Sequence, residues 1–218
     1  MAKGFFITFE GTEGCGKSTQ VELLAQRLRV LGHRVRTLRE PGGTPIGEEI
    51  RHTLKHSKNN HAMTAETELL LMNASRAQLV REIIRPALDA GEIVVCDRFY
   101  DSTMAYQGYG RQLDLPMVKQ VIDIAVGPTR PNLTVLLMVS HEISELRRAV
   151  RQSNLPFMRD RMEQADKQFF TRVANGFKAT ADAEPGRIRV VNGAESVEAV
   201  CAKIWEIVQP VLPKSKGQ

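Results

Sequence analysis

The residues most able to do chemistry stand in a glycine-rich string near the start of the chain. Residues 11–18 read Gly-Thr-Glu-Gly-Cys-Gly-Lys-Ser, which fills the Gly-x-x-x-x-Gly-Lys-Ser/Thr template of a phosphate-binding loop. Glycines let the backbone curl so that successive N–H groups point inward, and a following helix aims its positive end at the same place. We expect Lys17 to reach the β- and γ-phosphates of a nucleotide and the Ser18 hydroxyl to bind Mg²⁺.

The sequence around this string decides whether the template is meaningful. A phosphate loop needs a strand before it and a helix after it, and residues 5–9 form a β-prone run while apolar residues recur at helical spacing between Val21 and Leu31. The alternative, a glycine-rich turn with an ordinary surface lysine, fits this context poorly. The predicted nucleotide contacts are the loop residues Gly11, Thr12, Glu13, Gly14, Cys15, Gly16, Lys17, Ser18 and Thr19.

A second pair of candidate residues follows the third predicted strand. Asp97 and Arg98 come directly after the buried-strand run 93–96. A carboxylate at this place can hold the Mg²⁺ shell, and a guanidinium fork matches phosphate oxygens in two-point contact. Taken alone the pair could equally be a structural ion pair that caps the next helix, but the phosphate loop favours the functional interpretation.

A basic cluster forms the third candidate group. It surrounds residues 152–158, which contain Asn154 and Pro156 and are typical of a break between two helices. A mobile segment with arginines could close over a triphosphate, neutralise the transferred group and exclude water. The alternative is a solvated helix face, the usual place of charge runs. The members of the cluster are Arg147, Arg148, Arg151, Arg159 and Arg161.

Strand and helix patterns alternate along the chain, which predicts an α/β fold with a parallel sheet covered on both faces. Ligands of such sheets bind at the carboxyl ends of the strands. Gly32 and Gly91 stand where helices should end. The predicted strands are 4–9, 34–39, 92–96, 133–139 and 187–191. The predicted helices are 17–31, 45–56, 65–90 with Pro86 disturbing its last turn, 100–107, 115–126, 141–151, 160–182 and 196–209.

Composition and length are those of a soluble globular protein. The chain has 218 residues, of which 42% are hydrophobic and 25% charged, so we expect one domain over 1–212 and a disordered tail at 213–218. No apolar run approaches the ~18 residues that span a bilayer, and no signal peptide is recognisable, which predicts a cytoplasmic protein without a membrane partner. The net charge of +5 is dispersed, so we expect no nucleic-acid partner.

The three cysteines, at positions 15, 96 and 201, show no metal-ligand spacing and favour a reducing compartment. Cys15 lies inside the predicted phosphate loop, where positive charge could activate its thiol. The simpler interpretation is that Cys15 is a small residue at a loop position.

Several further strings give the chain a resemblance to bacterial thymidylate kinase from about residue 4 to 208. The strings Arg-Glu-Pro-Gly-Gly-Thr at 39–44 and Ala-Tyr-Gln-Gly at 105–108 are more specific than the phosphate loop. The resemblance implies a three-layer phosphate-loop kinase fold, with a five-stranded parallel sheet, helices on both faces and a short arginine-bearing lid at about 145–163. It also implies transfer of the γ-phosphoryl group of ATP to dTMP, with Mg²⁺, in a homodimer. The remaining strings are 9–19, 76–78, 97–99, 102–103, and 160–161 with Glu163.

The same resemblance implies roles for individual residues. Glu13 would bind the sugar 3′-OH, Arg98 the dTMP phosphate, Arg76 the thymine carbonyl and Thr103 the N3 side of the ring. Tyr106 would lie under the sugar. Pro41, Met72, Asn73, Ser102 and Gln107 complete the implied acceptor site. Gly14 stands where some relatives carry an arginine, so the resemblance implies that a lid arginine, Arg151 or Arg161, serves in catalysis together with Lys17, Arg98 and Asp97.

One departure from the family pattern leaves an alternative open. Many relatives place a phenylalanine three or four residues before the matched Arg76, where it stacks on thymine, but this chain has Met72 and Asn73. Methionine can lie against a ring and asparagine can bond a base edge. The alternative is therefore a nucleoside monophosphate kinase with another base preference, for example for dUMP.

Two other classes of protein share such a phosphate loop. A regulatory GTPase needs the strings Asn-Lys-x-Asp and Asp-x-x-Gly, and neither occurs in the chain. A nucleotide-binding module without catalytic activity stays open at this point, and acceptor-dependent formation of ADP separates it from an enzyme.

Overall fold

The computed structural model describes residues 4–57, 59–153 and 166–213. Five parallel strands form one sheet in the spatial order β2-β3-β1-β4-β5. The predicted parallel α/β sheet is therefore confirmed, with each strand within two residues of its predicted bounds. The strands are β1 (Phe5–Gly11), β2 (Val35–Arg39), β3 (Ile93–Asp97), β4 (Leu133–Met138) and β5 (Ile188–Asn192).

Helices connect the strands, and several begin at a side chain that caps the first turn. Thr44, Thr64, Asp114, Asp166 and Ser196 each accept a hydrogen bond from a backbone N–H three residues later. The helices are α1 (Lys17–Val30), α2 (Pro45–His56), α3 (Ala65–Leu79), α4 (Arg85–Asp89), α5 (Tyr100–Thr103), α6 (Leu115–Val126), α7 (His141–Ser153), α8 (Lys167–Ala183) and α9 (Val197–Val208). Short 3₁₀ turns cover Asn60–Ala62 and Gln209–Val211.

Two of the predicted helices are not uniform. The single helix predicted over 65–90 is divided into α3, a π-helical turn at Val80–Ile84, and α4. Pro86, which has no backbone N–H to donate, lies in the first turn of α4. The pattern over 100–107 is the short helix α5 followed by a π-helical segment, Met104–Gly110. The start of the predicted helix 160–182 lies outside the described residues, and α8 begins at Lys167.

The core lies on both faces of the sheet because alternate strand residues point to opposite sides. Ile7, Phe9 and Val95 pack with the apolar faces of α1 and α9. Phe6 and Val94 pack on the other face, against α3, α4 and α6. A third cluster joins α8 to the segment Met104–Gly110 and β4.

Two helix ends follow the sequence prediction. Gly32 and Gly91 both have positive φ, of 83° and 75°, directly after α1 and α4. In the part of the chain that the structure describes, each helix is too short or too polar to cross a bilayer.

The packing of α1 makes a prediction about stability. Leu28 is fully buried, whereas Val30, two residues later, is 81% exposed. Leu28→Ala should lower the free energy of unfolding by about 2–5 kcal/mol, because it leaves a cavity against the sheet. Val30→Ala is the matched control and should change it by less than about 0.5 kcal/mol. Urea unfolding followed by circular dichroism measures both, and equal effects would contradict the assigned orientation of α1.

Candidate active site

The phosphate loop and the Asp97-Arg98 pair meet because β1 and β3 are neighbours. Phe9 lies opposite Asp97 in the parallel register, and the backbone N–H of Arg98 donates to the Phe9 carbonyl at 2.9 Å. Both strands therefore end at the same edge of the sheet. The structure brings the two predicted constellations together within hydrogen-bond distance.

The loop has the backbone shape that its glycines allow. Gly11, Gly14 and Gly16 have positive φ of 136°, 71° and 97°. A Cβ at Gly11 would lie 2.2 Å from the Leu137 carbonyl oxygen, so β4 leaves no room for a side chain there. Gly16 forms the N-terminal cap of α1, whose free N–H groups therefore face the loop.

Lys17 is folded back onto this loop. Its Nζ donates to the carbonyl oxygens of Gly11 at 3.1 Å and Thr12 at 2.9 Å, and it lies 3.5 Å from the Cys15 sulfur. Lys17 is 6% exposed. A phosphate oxygen that entered the loop would compete with these carbonyls for the ammonium group.

A cleft runs along the loop and collects most of the predicted nucleotide contacts. Six of the nine predicted loop residues border it, while Gly11 and Thr12 turn their carbonyls to Lys17 and Cys15 borders an adjoining pocket. The cleft is lined by Glu13, Gly14, Gly16, Lys17, Ser18, Thr19, Arg39, Glu40, Arg51, Lys55, Asp97, Arg98 and Arg147.

Ser18 and Asp97 stand side by side at the floor of the cleft. The Ser18 hydroxyl donates to Asp97 Oδ2 at 2.6 Å. These oxygens suit Mg²⁺, which takes one or two protein oxygens and completes its shell with water and phosphate. In the described ranges, no group of three or more His, Cys, Asp or Glu side chains forms an alternative metal site.

Arg98 links the loop to the neighbouring cavity. Its guanidinium donates to Glu13 Oε1 at 2.7 Å, to the Gly11 carbonyl and the Ser102 hydroxyl at 2.9 Å each, and to the Tyr106 hydroxyl at 3.3 Å. Burial opposes the charged form, yet the Glu13 carboxylate and other nearby negative groups hold the pKa of Arg98 well above its ordinary value. Arg98 is therefore a fixed positive charge at the place where the cleft and the cavity meet.

Glu10, at the end of β1, holds the segment that follows Arg98. Its fully buried carboxylate accepts hydrogen bonds from the Phe99 N–H at 2.8 Å, the Ser102 N–H at 3.2 Å and the Ser102 hydroxyl at 2.5 Å. Burial, with a smaller contribution from Asp101, raises the pKa of Glu10 from 4.5 to about 7. The geometry gives Glu10 the role of stabilising this segment.

The cavity beside Arg98 collects the predicted acceptor contacts. Nine of the ten residues in that set border it. Glu40 and Lys55 border it as well, and these two, with Glu13 and Arg98, also border the cleft, so the cavity opens into the cleft. The cavity is lined by Glu13, Glu40, Pro41, Lys55, Met72, Arg76, Arg98, Ser102, Thr103, Tyr106 and Gln107.

Asn73 is the predicted acceptor residue that does not border the cavity. Its side-chain amide donates to the Leu69 carbonyl at 2.8 Å, and its oxygen accepts from Arg76 Nη1 at 2.9 Å. With both ends of the amide engaged in the protein, Asn73 supports Arg76 and has no position against a base edge. Met72 does line the cavity, where its side chain can lie against a ring.

The Arg76 guanidinium is held on every side. Nε donates to Glu40 Oε2 at 2.8 Å, Nη1 to Asn73 and to the Thr103 hydroxyl, and Nη2 to the Phe99 carbonyl at 3.2 Å. Nη2 also lies 2.7 Å from Glu40 Oε2. Arg76 thus organises the cavity wall and fixes the Thr103 hydroxyl, which also borders the cavity.

Sequence reasoning gave no role to Glu40, although the residue lies inside the string 39–44. The end of β2 places it beside β3, where its N–H donates to the Asp97 carbonyl at 3.0 Å. Burial raises the pKa of Glu40, and the adjacent Arg76 opposes this shift. Its Oε1 is buried and has no hydrogen-bond partner among the described residues.

The structure describes the side chains of only some of the predicted lid arginines. Arg147 on α7 donates to the Gly193 carbonyl at 2.8 Å, beside a pocket next to the loop. Arg148 pairs with Glu145 at 2.8 Å. Arg151 lies in α7, but its side chain, like Arg159 and Arg161, is outside the described residues.

Comparison with known proteins agrees with this geometry. A sequence model of the thymidylate kinase family matches residues 9–204. The thymidylate kinases of Syntrophotalea carbinolica and Geobacter sulfurreducens are 49% and 45% identical to the chain, over 92% and 97% of its length and 93% and 99% of theirs. The crystal structure of thymidylate kinase from Ehrlichia chaffeensis matches with a TM-score of 0.76 at 32% identity, covering 95% of the chain and 99% of that structure.

The chain belongs to the thymidylate kinase family. The resemblance drawn from the sequence strings is confirmed, and so is the expected class of enzyme, a kinase that phosphorylates dTMP to dTDP. The relatives named above give no support to a preference for dUMP.

The buried Glu10 carboxyl predicts how stability depends on pH. Its pKa in the folded protein, about 7, lies above the ordinary value of 4.5, so the folded state binds the proton more tightly than the unfolded state. The stability that Glu10 contributes is therefore full below about pH 4.5, falls as the pH rises to about 7, and is constant above it. The total loss should be on the order of 3 kcal/mol.

The measurement is the free energy of unfolding of the wild type minus that of Glu10→Gln, taken from urea curves between pH 4.5 and 8. Subtraction removes the contribution of the other titrating groups. A difference that rises with pH would contradict the assigned shift.

Proposed function

We propose that the chain transfers the γ-phosphoryl group of ATP to dTMP in a reaction that requires Mg²⁺, giving ADP and dTDP. The observation that carries this proposal is the opening of the Arg98-lined cavity into the cleft of the phosphate loop, with Glu13 and Arg98 on both walls. An acceptor in the cavity and a triphosphate in the cleft would meet end to end at these side chains.

The donor side is supported by the loop and by the pocket that adjoins it. The loop N–H groups and Lys17 suit the phosphates of ATP. The adjoining pocket lies between the loop, Arg147 and the segment around Gly193, so a nucleoside attached to those phosphates would extend into it. Its lining residues are Gly14, Cys15, Gly16, Thr19, Gln20, Arg147, Gly193, Glu195, Val197 and Val200.

The acceptor side is supported by the position of charge in the cavity. Arg98 would hold the dTMP phosphate in two-point contact at the opening. Glu13, which Arg98 now binds, would accept a hydrogen bond from the sugar 3′-OH, and Tyr106 would lie under the sugar. Pro41, Met72 and Thr103 would surround the base.

Catalysis on this geometry comes from position and charge. The attacking oxygen belongs to a phosphate monoester whose second pKa is about 6, so it is already largely deprotonated at neutral pH and needs no general base. Arg98 orients the acceptor while Lys17 places positive charge over the transferred group. Asp97 and Ser18 would hold Mg²⁺, which would further neutralise the charge of the phosphate oxygens.

Parts of the sequence interpretation stay predictions. They include a lid at about 145–163 with a catalytic Arg151 or Arg161, one domain over 1–212 with a disordered tail at 213–218, a homodimer, a cytoplasmic location and no nucleic-acid partner. The lid prediction is consistent with α7, which carries Arg147 to the edge of the cleft.

The experiment that tests the reaction compares acceptors with the purified protein, ATP and Mg²⁺. ADP release is followed with dTMP, dUMP, dCMP, GMP and AMP in turn. Release that requires dTMP supports the proposal and separates an enzyme from a binding module, whereas no acceptor-dependent release would overturn it.

Removing the loop ammonium should abolish most of the turnover without unfolding the protein. Lys17→Ala is expected to lower kcat by about 10²–10³-fold or more, because this charge stabilises the transferred group. Lys178→Ala, a change at an exposed lysine of α8, is the matched control and should leave kcat unchanged. Near-normal kcat in a folded Lys17→Ala protein would contradict the role of Lys17.

The Asp97 carboxylate should set the Mg²⁺ requirement. Asp97→Asn keeps the shape of the side chain and an oxygen near Ser18 but removes the negative charge. We expect the Mg²⁺ concentration for half-maximal rate to rise at least about tenfold, with a smaller change in the KM for dTMP. An unchanged Mg²⁺ dependence would exclude Asp97 as the metal carboxylate.

A further inference from the structure

The hydrogen-bond polarity at one end of the acceptor cavity is set by two buried charged side chains, Arg76 in the cavity wall and Glu68 outside it. Two polar side chains, Thr103 and Gln107, line the cavity four residues apart, in α5 and in the π-helical segment Met104–Gly110. A hydroxyl and a carboxamide can each donate or accept, so neither fixes polarity alone. Their buried neighbours remove this freedom.

Thr103 is fixed as a donor toward the cavity. Its hydroxyl accepts a hydrogen bond from Arg76 Nη1 at 2.8 Å, and an arginine can only donate. The hydroxyl proton has no acceptor of its own among the described residues, and the side chain borders the cavity. A carbonyl oxygen on a ligand is the group that this proton suits.

Gln107 is fixed as an acceptor toward the cavity. Its amide nitrogen donates to Glu68 Oε1 at 2.7 Å, and this carboxylate, which is fully buried, lies outside the cavity wall. The carboxylate also accepts from Arg111 Nε at 3.2 Å and from Arg111 Nη2 at 3.0 Å. The polar atom of Gln107 left for the cavity is its carbonyl oxygen, which has no partner in the described part of the chain.

We propose that Glu68 is the positioning residue for base selection, because it holds the Gln107 amide with its carbonyl oxygen toward the acceptor cavity. This inference rests on the proposed function. A donor from Thr103 beside an acceptor from Gln107 is complementary to a base edge with a carbonyl next to a ring N–H, as in thymine or uracil. Cytosine has an amino group next to an unprotonated ring nitrogen and meets the wrong polarity at both places.

The substitution Glu68→Leu removes the acceptor that holds the Gln107 amide and leaves a side chain of similar size. Glu68 Oε1 accepts from both Gln107 and Arg111, so a glutamine at this position could keep its oxygen there and would not test the inference. Without the carboxylate, the Gln107 NH₂ can turn to the cavity. It then opposes the thymine N–H and can donate to the unprotonated ring nitrogen of cytosine.

The test is kcat/KM for dTMP, dUMP and dCMP with the wild type and Glu68→Leu. We expect the dTMP to dCMP ratio to fall by about ten- to a hundredfold in the variant, since one buried hydrogen bond is lost and one conflict is relieved. The dTMP to dUMP ratio should stay within about twofold, because the two bases share this edge. Equal losses for dTMP and dCMP would show a structural effect and overturn the inference.

Two further variants separate selection from folding. Arg111→Lys replaces the guanidinium fork on Glu68 by a single ammonium group and leaves the hydrogen bond between Glu68 and Gln107, so it should keep the dTMP to dCMP ratio within about twofold. Glu68→Asp keeps the charge but is one methylene shorter, and should lose the ratio even if Glu68→Leu does not fold. A ratio kept in Glu68→Asp, or lost in Arg111→Lys, would overturn the inference. A wild type that does not phosphorylate dTMP would instead overturn the proposed function.

Discussion

The parallel pairing of β1 with β3 is the constraint on which the site depends. It brings the glycine loop that follows one strand against the Asp-Arg pair that follows the other, with Phe9 opposite Asp97. Each residue of a parallel strand advances about 3.3 Å, so a slip of two residues would carry Asp97 about 7 Å from Ser18, beyond any hydrogen bond. The apolar faces of β1 fix the register, because a slip of one residue would move Phe6 and Phe9 to the wrong sides.

Around this site carboxylates bind arginines; Glu40 and Glu68 are buried and Glu13 is half-buried. Glu13 pairs with Arg98, Glu40 with Arg76 and Glu68 with Arg111. Such pairs contribute little net stability because desolvation offsets the attraction, but breaking one leaves an uncompensated charge. These pairs contribute to the geometry of the site. Because an arginine can only donate and a carboxylate can only accept, a hydroxyl or amide group bonded to one of them is held in one orientation.

The strands and the phosphate loop could be predicted from the sequence because each has a strong local signal. The strands are apolar runs, and the loop is a string of glycines followed by a lysine. Sequence reasoning missed the π-helical turns at Val80–Ile84 and Met104–Gly110, since a change from i→i+4 to i→i+5 bonding leaves no mark in an apolar pattern. The family pattern put Asn73 among the acceptor contacts, but the bonds of its amide to the Leu69 carbonyl and the Arg76 guanidinium leave no mark in the sequence. Glu40 and Lys55 were not predicted as cavity residues because the fold alone, through the ends of β2 and α2, brings them to the cavity.

The backbone at Arg98 shows how this edge is held in one shape. Arg98 has φ of 72°, a conformation that costs a residue with a side chain about 1–3 kcal/mol. The strain persists because three independent sets of bonds enforce it: the Arg98 N–H to Phe9, the guanidinium to Glu13 and Gly11, and Glu10 to the Phe99 N–H beyond. This left-handed conformation accompanies the position of Arg98 in the cleft, and α5 begins two residues later at Tyr100. Folding thus fixes Arg98 in one place, so the proposed acceptor site would need little further ordering when a ligand binds.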